Sequence, residues 1–200
     1  MINTREASYP IDTVYLQRWS PRSFLNKPIP EETLFSLFEA ARWAPSAFNN
    51  QPWRFILART EEDREKFYSF ISEFNLNWCK NAPVLSLIIS ETENERGFNK
   101  THAFDTGAAW GYLSLEATKK GLVTHPMTGF NFEKARSVLN IPEKFAINAL
   151  VAIGYQGEKN SLPEVLQERE NPSPRRGIKA SLFEGSFGME MNETTGSFMK

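Results

Sequence analysis

Gln17-Arg18-Trp19-Ser20-Pro21-Arg22-Ser23-Phe24 and Ala44-Pro45-Ser46-Ala47-Phe48-Asn49-Asn50-Gln51-Pro52-Trp53-Arg54-Phe55 are the two runs on which the reading of this chain turns. The first sets Arg18 and Arg22 four residues apart, with the hydroxyl of Ser20 between them. Pro21 keeps the segment from continuing as a plain helix. Two fixed cations and a hydroxyl on a bent backbone suit a phosphate or another compact anion. The second run is a polar, amide-rich loop that leads straight into an aromatic, strand-like segment. Together they suggest a site for a large, flat, phosphorylated group.

The rest of the chain bounds that reading. Its 200 residues make one domain, 1–200, long enough to bury a real core. Apolar residues make up 40%, with sixteen Phe and five Trp, so the chain folds rather than staying disordered. The net charge of −1 offers no field for nucleic acid or an anionic membrane, so neither is expected as a partner. Cys79 is the one cysteine, which excludes an intramolecular disulfide and reads as a small buried residue. His102 and His125 are too few for a metal cluster, and no metal ligand set is expected. The start of the chain is polar and no apolar run is long enough to span a bilayer, which makes the cytoplasm the expected location.

Outward from the two runs, helices and strands are mixed without regular βαβ alternation, which favours α+β. Pro30-Glu31-Glu32 opens a helix whose apolar residues Leu34, Leu37, Phe38 and Ala41 share one face. Trp53–Arg59 reads as a strand. Thr60 to Asp63 looks like a capping box, and Phe67, Phe70, Ile71, Phe74 and Trp78 continue as one helical stripe. Val84–Ser90 and Ile147–Tyr155 read as buried strands, Glu91–Lys100 as a loop or helix start, and His125–Phe130 as a loop. A helix over Ala103–Lys120 stops at Gly121 and carries the small residues Gly107, Ala108, Gly111 and Ser114 on one face. Those allow close approach of another helix, within the subunit or from a second one. The tail from 181 onward carries Phe183 and Phe187 with nothing nearby to pack on, so it is expected to dock on a partner subunit.

No Gly-x-Gly-x-x-Gly follows a strand, no phosphate-binding glycine loop of the Walker type is present, and no Gly-x-Ser-x-Gly elbow supports a hydrolase. The two opening runs resemble the nitroreductase family of FMN-dependent oxidoreductases. Those chains open with Arg-x-Ser-x-Arg/Lys-x-Phe and carry Pro-Ser-x-x-Asn-x-Gln-Pro-Trp about a helix later. The resemblance extends over most of the chain. His125-Pro126-Met127-Thr128-Gly129-Phe130 looks like the family's Pro-x-x-Gly-Phe loop. Ile141-Pro142-Glu143, followed by Ala149–Tyr155, matches its late strand pattern, and Pro174-Arg175-Arg176 sits where the family places a late phosphate-binding arginine.

The resemblance implies an α+β nitroreductase-like fold: a central mixed or antiparallel sheet flanked by helices, in an intertwined homodimer with the flavin at the subunit interface. It implies bound FMN and NAD(P)H as a transient hydride donor. Arg18, Ser20 and Arg175 would hold the phosphate, with Trp19 in the same run, and Arg22 would place a cation near flavin N1 and O2. Asn75, with Asn77 as competitor, would read the pyrimidine edge. Pro126 and Met127 would lead into Thr128 and Gly129 beside N5. Pro45, Ser46, Ala47, Asn49 and Gln51 would reach the flavin held mainly by the other chain. Three positions depart from relatives: Trp78 replaces a lysine, Thr128 an acidic residue and Gly177 a proline. The activity implied is ping-pong hydride transfer through flavin N5 to a nitroaromatic, quinone or similar acceptor, with no catalytic side chain. Two alternatives stand beside it: dehydrogenation or reductive dehalogenation on the same scaffold, and a non-catalytic flavin-binding regulatory protein.

Overall fold

The computed structural model describes residues 5–191. Its centre follows from the most apolar run of the chain. Strand β3 (Val84–Glu91) is buried over nearly its whole length. Successive side chains leave a strand on opposite faces, so an almost uniformly apolar strand requires cover on both. Leu85, Leu87 and Ile89 face one core, with Phe67, Phe70, Trp78 and Leu150. Val84 and Ile88 face a second, with Leu34, Leu37, Leu113 and Ile153.

The short helix α1 (Val14–Gln17) precedes β1 (Phe24–Leu25), α2 (Glu31–Arg42) and β2 (Trp53–Ala58). β2 pairs with β3 from Trp53↔Ser90 to Ala58↔Leu85. The long strand β7 (Phe145–Gln156) covers the other edge of β3, with a register shift between Ile88 and Ile89. The far edge of β7 carries β6 (Val123–Met127) and then β1. Every pairing among these strands is antiparallel. α3 (Glu61–Tyr68), α4 (Glu73–Cys79), α6 (Phe132–Val138) and α7 (Glu164–Gln167) lie with the first core, whereas α2 and α5 (His102–Lys119) pack together over the second. This is the expected α+β arrangement, with the sheet antiparallel throughout.

Local chemistry explains the ends. Thr60 caps α3 by accepting from the Asp63 N–H at 3.1 Å. α5 closes in a Schellman turn: the Leu122 N–H reaches the Ala117 carbonyl at 2.8 Å, and the Gly121 N–H reaches Thr118 O at 3.1 Å. Gly121 carries the φ of +72° that this turn requires.

Three expectations need correction. The stripe from Phe67 to Trp78 is not one helix. The chain breaks between Tyr68 and Glu73 because its backbone is claimed by the segment after β6: Ser72 N–H donates to Gly129 O and Asn131 N–H to Phe70 O. Phe74, which opens the second helix, is consequently exposed rather than in the core. His125–Phe130 is only half a loop, since His125, Pro126 and Met127 belong to β6. That strand pairs on one side only, which is where a proline is tolerated. Between Glu91 and Lys100 stands a small hairpin of β4 (Glu93–Asn94) and β5 (Gly97–Phe98), which turns at Glu95-Arg96 and enters β5 through Gly97 at φ +94°.

Cys79 is buried as expected, and burial pushes its thiol up to about 12. The residues from 181 to 191 are exposed, with the Phe183 and Phe187 rings 4.8 Å apart. The remainder of the tail, 192–200, lies outside the described residues. No helix among the described residues is long and apolar enough to cross a membrane.

Candidate functional site

The first arginine run forms a bend whose backbone is tied from several directions. The Arg18 N–H still closes the last turn of α1, but its ψ of 119° takes the chain out of the helix. Arg5 reaches back to the carbonyls of Leu16 and Arg18, the latter at 2.7 Å, and to that of Ser173 at 2.9 Å. The His125 imidazole meets Pro21 O through Nδ1 at 3.0 Å, so Nδ1 carries the proton. The N–H groups of Arg22 and Ser23 both donate to Glu170, and Ser23 O accepts from Gly157 N–H at 2.9 Å. Gly157 is needed there: a Cβ would fall 2.7 Å from Ser23 Oγ and 3.0 Å from the Phe24 backbone.

The bend opens onto a cavity of about 320 Å³. Arg5, Arg18, Arg22, Arg169 and Arg175 all line it, together with Trp19 and Ser20, and no acidic residue among those described does. Arg18 Nη1 donates to Ser20 Oγ at 3.2 Å. The half-buried Arg18 guanidinium is shifted below its ordinary range by desolvation first, then by the neighbouring charges of Arg175 and Arg5. A crowd of like charges without a counter-charge in the wall suits an anion, and a phosphate dianion matches its sign and its guanidinium donors.

A second cavity, of about 510 Å³, adjoins it. Asn75, Pro126, Met127, Thr128 and Gly129 line it, with Ser72, Phe74 and Ala149, and His125 belongs to the walls of both cavities. Asn75 is held in a single orientation by chemistry. Its Nδ2 donates to Gly129 O at 3.1 Å, and its Oδ1 accepts from the indole N–H of Trp78 at 3.2 Å. An indole only donates and a carbonyl only accepts, so the amide cannot be turned round. Asn77 is exposed and lines neither cavity. The buried Trp78 indole sits against the half-buried His125 ring at 4.5 Å between ring centres. Burial pushes the His125 imidazole down to about 4; the bond to Pro21 opposes that shift and the Arg22 charge reinforces it. His125 is therefore neutral near pH 7.

Pro45, Ser46, Ala47, Asn49 and Gln51 line neither cavity. They form a loop braced on the start of α5, where the Ala47 N–H donates to Asp105 Oδ2 at 3.2 Å. Phe48, Asn49 and Gln51 have φ of 52°, 57° and 46°, a left-handed backbone that non-glycine residues rarely adopt. Ser46 Oγ supports it by accepting from the Gln51 N–H at 3.0 Å. Arg5, Arg169, His125 and Glu170 were not legible as site residues. Three are single charges without a spacing pattern, and His125 opens a recognised run but had no assigned role.

The match to the nitroreductase family model covers residues 15–77 and 71–155. The chain belongs to the nitroreductase family. It is 30% identical over 190 residues to an NADH dehydrogenase of Thermus thermophilus, covering 77% of this chain and 92% of that one. It is 28% identical over 165 residues to an iodotyrosine deiodinase of Thermotoga neapolitana, covering 70% and 84%. A crystal structure described as an oxidoreductase containing FMN superposes with a TM-score of 0.89 at 42% identity, covering 94% of this chain and 98% of that one. Membership and these relatives make the chain an enzyme of the oxidoreductase class.

Proposed function

We propose that this enzyme binds FMN and passes a hydride from NAD(P)H to a nitroaromatic, quinone or similar oxidised small molecule by ping-pong exchange, as a cytoplasmic homodimer. The observation that carries the reading is the pair of adjoining cavities that share His125. One is walled by arginines and suits a phosphate, and the other is walled by Asn75 and the Pro126–Gly129 segment and suits a polar ring edge. FMN supplies the hydride-accepting and hydride-donating chemistry when bound.

The chain's own groups bind and orient. Arg18, Ser20 and Arg175 hold the phosphate, with Arg5 and Arg169 adding charge and Trp19 closing the wall. Arg22 contributes a cation on the side towards His125. Asn75, locked by Trp78, presents a fixed amide, and the Pro126–Gly129 segment supplies backbone. The loop from Pro45 to Gln51 is braced by hydrogen bonds and lines neither cavity of its own chain, which suits a loop offered to the cofactor of a second copy. Purified protein tests the reading: it carries FMN, NADPH or NADH bleaches the flavin absorbance, and a nitroaromatic or quinone restores it. Protein that neither contains nor takes up FMN would overturn it.

A second reading, reductive dehalogenation, is favoured by the Thermotoga relative. Iodide release from 3-iodotyrosine under reducing conditions, faster than nitroaromatic turnover, would select it.

A further inference from the structure

Glu170 is fully buried, at 0% exposure. A carboxylate in that position is costly unless its oxygens are met by donors. Those donors are two backbone N–H groups: Arg22 N lies 2.9 Å from each oxygen and Ser23 N lies 2.9 Å from Oε1. They come from a bend 147 and 148 residues earlier in the chain. The two N–H groups belong to the peptide units on either side of the Arg22 Cα. Arg169 and Asn171, which flank Glu170 in sequence, both line the arginine-walled cavity.

We propose that Glu170 is a positioning residue for the Arg22 cation at bound FMN: by holding both peptide units around Arg22, it fixes the root from which that side chain reaches the flavin. The inference rests on the FMN reading of the site. Its physical need is plain. Five arginines around one cavity repel one another, and a guanidinium on a free bend would swing away from its neighbours. An anchor that acts on the backbone leaves the guanidinium free to donate to the ligand. It also places the carboxylate behind the wall, where it does not compete for the cavity. The other polar groups of the bend are already committed, Pro21 O to His125 and Ser23 O to Gly157. Glu170 is thus the side chain on which the Arg22 N–H depends.

Glutamine has one acceptor oxygen and turns an NH2 towards an N–H, so Glu170→Gln loses part of the clamp while keeping the shape. The test is a double-mutant cycle on apo-protein. FMN affinity, by quenching of flavin fluorescence, and the potential of the reconstituted flavin, by dye equilibration, are measured for the wild type, Glu170→Gln, Arg22→Ala and the double variant. Glu170→Gln is expected to weaken FMN binding about tenfold. The potential of its bound flavin should fall in the same direction as in Arg22→Ala, and the double variant should bind FMN no worse than Arg22→Ala within about twofold. Unchanged FMN affinity, additive losses, or an unchanged flavin potential would each overturn the proposal. If Glu170→Gln does not fold by circular dichroism, Glu170→Asp, with the charge on a shorter arm, enters the same cycle with the same readings. Wild-type protein that binds no FMN would instead overturn the functional reading itself.

Discussion

Single residues decide how this site holds charge. Arg18 lies half-buried among Arg5 and Arg175, so Arg18→Ala removes a charge-assisted contact to phosphate worth about 1.5–3 kcal/mol. Calorimetric titration of apo-protein with FMN should show that loss. Arg22→Ala should weaken binding too, but its larger mark should be on the flavin: without that cation the midpoint falls, by about 30 mV for each 1.4 kcal/mol of lost stabilisation. An unchanged potential measured by dye equilibration would leave Arg22 a phosphate ligand alone. His125 adds a pH dependence of definite sign. Its folded value, about 4, lies below its ordinary 6.5, so between those values the unfolded chain binds more protons than the folded one. The folded state is therefore unpenalised above pH 6.5 and loses stability as pH falls towards 4, by about 3 kcal/mol in all. Thermal melts from pH 7 to 4 should show that slope in the wild type and a shallower one in His125→Asn. The arginine pair and Asn75 were legible because spacing and family pattern are local properties of a sequence. Glu170 and His125 were not, since their partners lie 148 and 104 residues away.

At the scale of elements, the break between α3 and α4 shows what pattern alone misses. The apolar period runs unbroken from Phe67 to Trp78, yet the backbone of Phe70 and Ser72 bonds across to Asn131 and Gly129. That exchange turns Asn75 towards Gly129, so the break itself builds the second cavity. Gly129 is the close-approach point: a Cβ there would collide with the Asn75 amide. Gly129→Ala should therefore displace Asn75 and weaken both riboflavin and FMN binding while the far-ultraviolet spectrum is kept; unchanged affinity for both flavins would show that the amide does not touch the ring. α5 offers a second case. Ala109, Leu113 and Ala117 bury the face towards the sheet, whereas a Cβ on Gly107 or Gly111 meets nothing within 4 Å. Packing inside the chain thus gives no reason for two glycines that each cost about 1 kcal/mol against alanine in a helix. A second copy approaching this face would supply one. Gly111→Phe should fold and run as a monomer by light scattering; a dimer of unchanged mass would place the interface elsewhere.

For the whole molecule, the two cavities adjoin through His125, whereas the Pro45–Gln51 loop stands apart from both. Protein purified without added flavin should be yellow, with about one FMN released per chain on denaturation; colourless protein that takes up no FMN would remove the cofactor from the account. The α+β class, the buried strands β3 and β7, the helix caps and the family were all readable from residue order. Periodicity, capping and motif spacing are short-range properties, and short-range chemistry enforces them. The all-antiparallel sheet, the strand carrying His125 and Pro126, the gathering of five arginines around one cavity and the burial of Glu170 were decided only by tertiary structure. Each depends on which distant segments meet, and that is set by covering both faces of β3 at once and by satisfying every buried N–H and carbonyl on the way.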